Sequence, residues 1–100
     1  MVVFTVIGKV MLGAESEKIV DKVDDLLREG KRKIIFNLAG ITRIDSTGIG
    51  RFIASYNRIA AAGGEMRMAA AAHYLFQAFH ISRLDTVFRF YPSVEDATKE

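Results

Sequence analysis

Apolar residues recur along this chain in two rhythms that take turns. Val2-Val3-Phe4-Thr5-Val6-Ile7 is a nearly continuous apolar run closed by Gly8, the pattern of a strand covered on both faces. From about Glu15 to Glu29 the period lengthens. Ile19, Val23, Leu26 and Leu27 share one side of a helix, Lys22, Asp25 and Arg28 take the other, and Gly30 supplies a left-handed stop. Ile34 to Leu38 returns to a short apolar run, read as a buried central strand, with a loop expected through Gly40. A second helix is expected from the turn at Ser46 to about Ala62, with Ile49, Phe52, Ile53, Tyr56 and Ile59 on its inner face and Gly63-Gly64 closing it.

The remaining elements are shorter. Glu65-Met66-Arg67-Met68 alternates polar and apolar, as a strand near the edge of a sheet would. Ala71 to Phe79 reads as a helix with Leu75, Phe76 and Phe79 inward, and Val87 to Phe90 as a last strand. Ser93 is placed to cap a terminal helix, with Asp96 at the reciprocal position. Strands that alternate with helices imply an α/β fold. The expectation is a single domain over residues 1–100, with a mixed sheet of four to five strands and about four helices packed against it. Crossovers between parallel strands should be right-handed.

Composition narrows the function. At 100 residues there is apolar surface for one core. No cysteine is present, which removes disulfides and thiolate metal sites and suits a cytoplasmic protein. The apolar N-terminal run lacks a basic leader and is too short to span a bilayer, so no membrane insertion is expected. Net charge is +2, and the densest basic run, Lys31-Arg32-Lys33, is too small to suggest a nucleic-acid interface.

Catalytic and cofactor signatures are missing. No Gly-x4-Gly-Lys-Ser/Thr loop occurs. Gly48 and Gly50 begin a dinucleotide fingerprint, but Ile53 stands where its third glycine belongs, and Ile44 replaces the first glycine of a nucleophile elbow around Ser46. His73 and His80 are spaced too widely for a paired metal site. No metal, no cofactor and no enzymatic activity are therefore expected. A small nucleotide-binding enzyme built on the glycine-rich turn is the remote alternative.

One stretch stands out. Asp45-Ser46-Thr47-Gly48-Ile49-Gly50 sits where the chain enters a helix. Asp, Ser and Thr oxygens cap orphan N–H groups there, and the partial positive charge of a helix start accommodates an anion. The two glycines would keep the first turn free of bulk for close packing on the sheet or for an approaching protein. Phosphorylation of Ser46 would add ~1.5 to 2 negative charges at a place the fold tolerates and a docked partner would not.

The run Ile44 to Gly50 resembles the signature of the STAS domain, the family of bacterial anti-sigma factor antagonists and of the cytoplasmic domains of sulfate transporters. The strand ending at Gly8, Asn37 in the central strand, Gly63-Gly64-Glu65, Leu75-Phe76, Ile81 and Leu84 extend the similarity. The resemblance implies an antagonist that binds an anti-sigma factor with serine kinase activity. Phosphorylation of Ser46 would release it, with Thr47 as the competing hydroxyl, and a phosphatase would reset it. Asp45, Ser46, Thr47, Gly48, Ile49 and Gly50 would form the partner-binding turn, with Asp45 setting local charge and geometry. The chain would be a monomer or a weak dimer. Two features depart from the family pattern. Met11 stands roughly where the family often carries an acidic residue, and the first strand looks like the family's second. Both suit an alternative, a scaffold or regulatory STAS module that is not phosphorylated.

Overall fold

The structure, a computed structural model, describes residues 1–99. Four strands, β1 (Val2–Val10), β2 (Lys33–Ile44), β3 (Glu65–Ala69) and β4 (Arg89–Tyr91), form one sheet in the order β1-β2-β3-β4. Helix α1 (Ala14–Arg28) joins the first pair and α2 (Ser46–Ala61) the second. Helix α3 (His73–Ile81) and a 3-10 turn at Leu84–Thr86 join the third, and α4 (Val94–Thr98) follows β4. Every neighbouring pair is parallel, so the sheet is parallel throughout and not mixed. A helix between successive strands returns the chain to the starting end of the sheet, and the next strand then runs the same way.

With the strand order advancing in one direction, crossovers of one hand must place α1, α2 and α3 on one face. They do. Ile19, Val23 and Leu26 of α1, Phe52 and Ile59 of α2, and Leu75 and Phe79 of α3 share a core with Val6, Ile34, Phe36 and Met68 of the sheet. Helix α4 covers part of the opposite face, where Val94 and Ala97 pack on Ile35, Ala69 and Tyr91. The Ser93 hydroxyl caps α4, accepting from the Asp96 N–H at 3.1 Å.

The structure corrects several sequence expectations. β1 runs on past Gly8 to Val10, and it is covered on one face only: Val3 is 43 % and Ile7 77 % exposed. It lies at the edge of the sheet, a position that a continuous apolar run does not disclose. β3, expected near an edge, lies between β2 and β4. Its Arg67 is buried, because the guanidinium donates to the Ala97 carbonyl at 2.6 Å, bonds to Glu65 and lies over the Tyr91 ring. Ile53, expected on the inner face of α2, is 37 % exposed. The last strand begins at Arg89, since Val87 and Phe88 still belong to the preceding turn.

The loop expected through Gly40 is instead strand. β2 carries 12 residues against 9 in β1; Lys33 precedes the first pair with β1, and two bulges absorb the rest of the excess. Thr5 pairs with Asn37 and Ile7 with Gly40, while Gly8 pairs with Ile41 and Lys9 with Arg43, so each shift leaves an extra residue in β2. The shifts change the side-chain period locally, so Leu38, Ile41 and Ile44 all turn toward the core despite spacings of three. The strands then end level, with Val10 beside Ile44, directly below the start of α2.

Candidate functional site

Asp45 has extended backbone angles and is the N-cap of α2. Its carbonyl accepts the first helical bond, from the Ile49 N–H at 3.0 Å. Its carboxylate works in two directions. One oxygen accepts from the Gly48 N–H at 2.8 Å and caps the helix. The other accepts from the Leu12 N–H at 3.0 Å and ties down the turn after β1. The Asp45 N–H in turn donates to the Val10 carbonyl at 3.3 Å. A single side chain thus fastens the start of α2 to the end of the neighbouring strand.

The charge on Asp45 is part of that clamp. The Gly48 N–H above all, and then the Leu12 N–H, hold its carboxyl below the usual 3.8, against a weaker opposing effect of desolvation. The stability it contributes is therefore present above 3.8 and is lost as the pH falls through the lower folded-state value. Asp45→Asn keeps an accepting oxygen and loses the charge. In urea titrations the advantage of the native chain over this variant is expected to be greatest near neutrality and to shrink as the pH drops below 3.8. A pH-independent advantage would mean that the charge contributes nothing.

Gly48 sits against the chain's own backbone. A Cβ there would lie 1.9 Å from the Val10 carbonyl oxygen and 2.9 Å from the Ile44 side chain. Its missing side chain serves close packing on the sheet, one of the two uses expected of the glycines. Gly50 is exposed, and a Cβ there would meet nothing within 4 Å. Ile49 is half-buried and packs on the main core.

Ser46 is exposed at the first position of the helix, while Thr47 is half-buried beside it. Of the two candidate hydroxyls, Ser46 is the more open. The turn after β1 adds a residue that sequence reading missed. Met11 is half-buried, whereas Leu12 is 80 % exposed while its backbone is fixed to Asp45. The Leu12 side chain thus stands in water beside Asp45. Nearby, the Tyr74 hydroxyl at the start of α3 donates to the Ile41 carbonyl at 2.5 Å, within the irregular stretch of β2.

The other candidates do not gather into a site. The His80 Nδ1 lies 2.9 Å from the Asp85 carboxylate and His73 lies near Gln77. Among the described residues no three His, Asp or Glu side chains come together as metal ligands. No described helix is long and apolar enough to cross a membrane.

A parallel α/β sheet whose first two strands end level at the capped start of α2, with the Ser46 hydroxyl open on that start, is the frame of the site. The chain belongs to the STAS family, whose domain model matches residues 1–97. Solved structures agree on the fold. A candidate anti-sigma factor antagonist from Thermotoga maritima superimposes with a TM-score of 0.85 at 18 % identity, covering 97 % of this chain and 85 % of that one. A sulfate transporter family protein from Wolinella succinogenes gives 0.83 at 14 %, covering 95 % and 79 %. The Bacillus cell fate determinant SpoIIAA in its phosphorylated form gives 0.70 at 22 %, covering 95 % and 85 %.

Proposed function

We propose that this protein is a cytoplasmic anti-sigma factor antagonist that acts as ligand and substrate of its partner, not as an enzyme. Unmodified, it docks on an anti-sigma factor with serine kinase activity through the turn 45–50 and the adjoining Leu12. The kinase, which holds the ATP, transfers the γ-phosphoryl group to the Ser46 hydroxyl oxygen, releasing ADP and a proton. A phosphatase hydrolyses the ester and restores the docking surface. The similarity to antagonists, including one solved in a phosphorylated form, supports this reading.

The observation that carries it is the division of labour within one turn. Asp45 and Gly48 are committed to the fold, and Ser46 beside them is exposed. A phosphate on Ser46 meets the positive end of α2, so the fold survives. A partner seated there meets a dianion that it must desolvate or repel. The switch therefore changes binding and leaves stability alone.

Ser46→Asp is expected to weaken binding to the cognate kinase tenfold or more, about 1.4 kcal/mol, with a nearly unchanged melting temperature. Mass mapping after incubation with that kinase and ATP should place one phosphate on Ser46. Phosphate found only elsewhere would refute the assignment. The second reading, an unphosphorylated scaffold or regulatory module, is favoured by the half-buried Met11, which stands roughly where the family often has an acid. It requires the opposite outcome, a partner that binds the native chain and Ser46→Asp equally well.

A further inference from the structure

The surface least accounted for is the free edge of the sheet. β1 pairs with β2 on one side and, among the described residues, with nothing on the other. Exposed edges in natural proteins are usually blunted by lysine, proline or a bulge. Between Val2 and Ile7 there is neither a charge nor a proline. The extra residues of the register shifts belong to β2, so they do not interrupt the free edge. Lys9, the one charge of the strand, lies beyond this stretch. On the outer face α4 covers Ile35 and Ala69, while Val3, Thr5 and Ile7 remain exposed.

We propose that this edge pairs with the same edge of a second copy, β1 antiparallel to β1 across a two-fold axis at Thr5, joining two four-stranded sheets into one. The strand is nearly self-complementary about that residue. On the outer face Val3 then lies opposite Ile7 of the other copy, twice over, and Thr5 opposite Thr5. On the inner face Phe4 lies opposite Val6, and the left-handed backbone of Gly8 ends the regular segment. Apolar and Thr–Thr pairs are favourable across antiparallel strands. A one-residue slip would bring inner-face side chains opposite outer-face ones, so the alternation itself selects the register. No charge lies within the paired segment, so nothing there repels a second copy or favours a charged partner.

The seam is short. Val3 to Ile7 spans about 14 Å at the usual strand rise. Alone it buries less than the roughly 1,600 Å² of a standard interface, so the dimer is weak and concentration-dependent. It lies apart from Ser46, and its fate does not decide that of the proposed switch.

Sedimentation velocity on the whole chain, from micromolar to millimolar concentration, is expected to show a monomer–dimer equilibrium. Thr5 is exposed, so Thr5→Lys and Thr5→Glu should keep the native circular dichroism and melting temperature. Each places like charges face to face at the axis, and each should weaken dimerisation at least tenfold. Mixed together, the two variants should form a heterodimer. A native chain that stays monomeric throughout, a Thr5→Lys variant that dimerises as before, or a mixture that fails to pair would each overturn the proposal.

Discussion

Phe52→Ala is expected to destabilise the protein by about 3–5 kcal/mol, the range for deleting a large buried aromatic side chain. Phe52 is fully buried on the inner face of α2. Its ring meets Phe36 of β2 edge-on at 5.5 Å and Phe79 of α3 at 5.8 Å. Phe79 continues the chain of rings to Phe88 and Phe90. Removing the ring therefore opens a cavity where the sheet and two helices meet, and it also forfeits two aromatic edge contacts worth ~0.5–1.5 kcal/mol each. Small domains have only about 5–15 kcal/mol of stability to lose. Urea titration measures the effect directly, and a loss below about 1 kcal/mol would mean that the helix register or the cluster is misassigned.

The second large effect separates the two glycines of the site turn. Gly48→Ala drives a methyl group into the Val10 carbonyl, a backbone atom tied to the Asp45 N–H. No rotamer relieves that clash, so either α2 or the end of β1 must move. The cost should reach or exceed the upper part of the overpacking range, about 3 kcal/mol. Gly50→Ala, two residues further along the same helix, meets open space. It should be neutral or stabilise by about 0.5–1 kcal/mol, because alanine is the better helix former. Melting temperatures of the two variants should move in opposite directions or differ widely. Equal shifts would show that α2 does not rest on β1 as described.

The local geometry of the candidate turn was partly legible in the sequence. That an Asp, Ser or Thr oxygen caps the start of α2, and that the Ser46 hydroxyl is open, follow from chemistry confined to a few consecutive residues; that Asp45 is the cap was decided by the structure. Leu12 was not legible. Its place beside Asp45 depends on a hydrogen bond to that residue, 33 positions away. The same holds for Gly48, whose glycine answers to Val10 across the gap between two strands.

Among the elements, α1 and α2 were readable because a helix repeats its apolar face every 3.6 residues whatever surrounds it. Ile53 was the exception. It follows the buried Phe52 by one residue, a rotation of about 100°, and so falls off the inner stripe. β2 was expected to stop near Gly40, since glycine and a broken alternation look like a loop. Its bulges keep it in the sheet by pairing with β1, a partner that local sequence does not display.

What the amino-acid sequence determined by itself is the set of local periods and caps: which segments coil, which extend, and where a helix begins with an acceptor and a free hydroxyl. Those depend on backbone sterics and on hydrogen bonds between near neighbours. Only the tertiary structure decided which strand lies at the edge, that Arg67 is buried in the sheet, and that Asp45 clamps two elements at once. Each of these requires atoms from distant parts of the chain to meet, and their meeting is fixed by how the sheet and helices share one core.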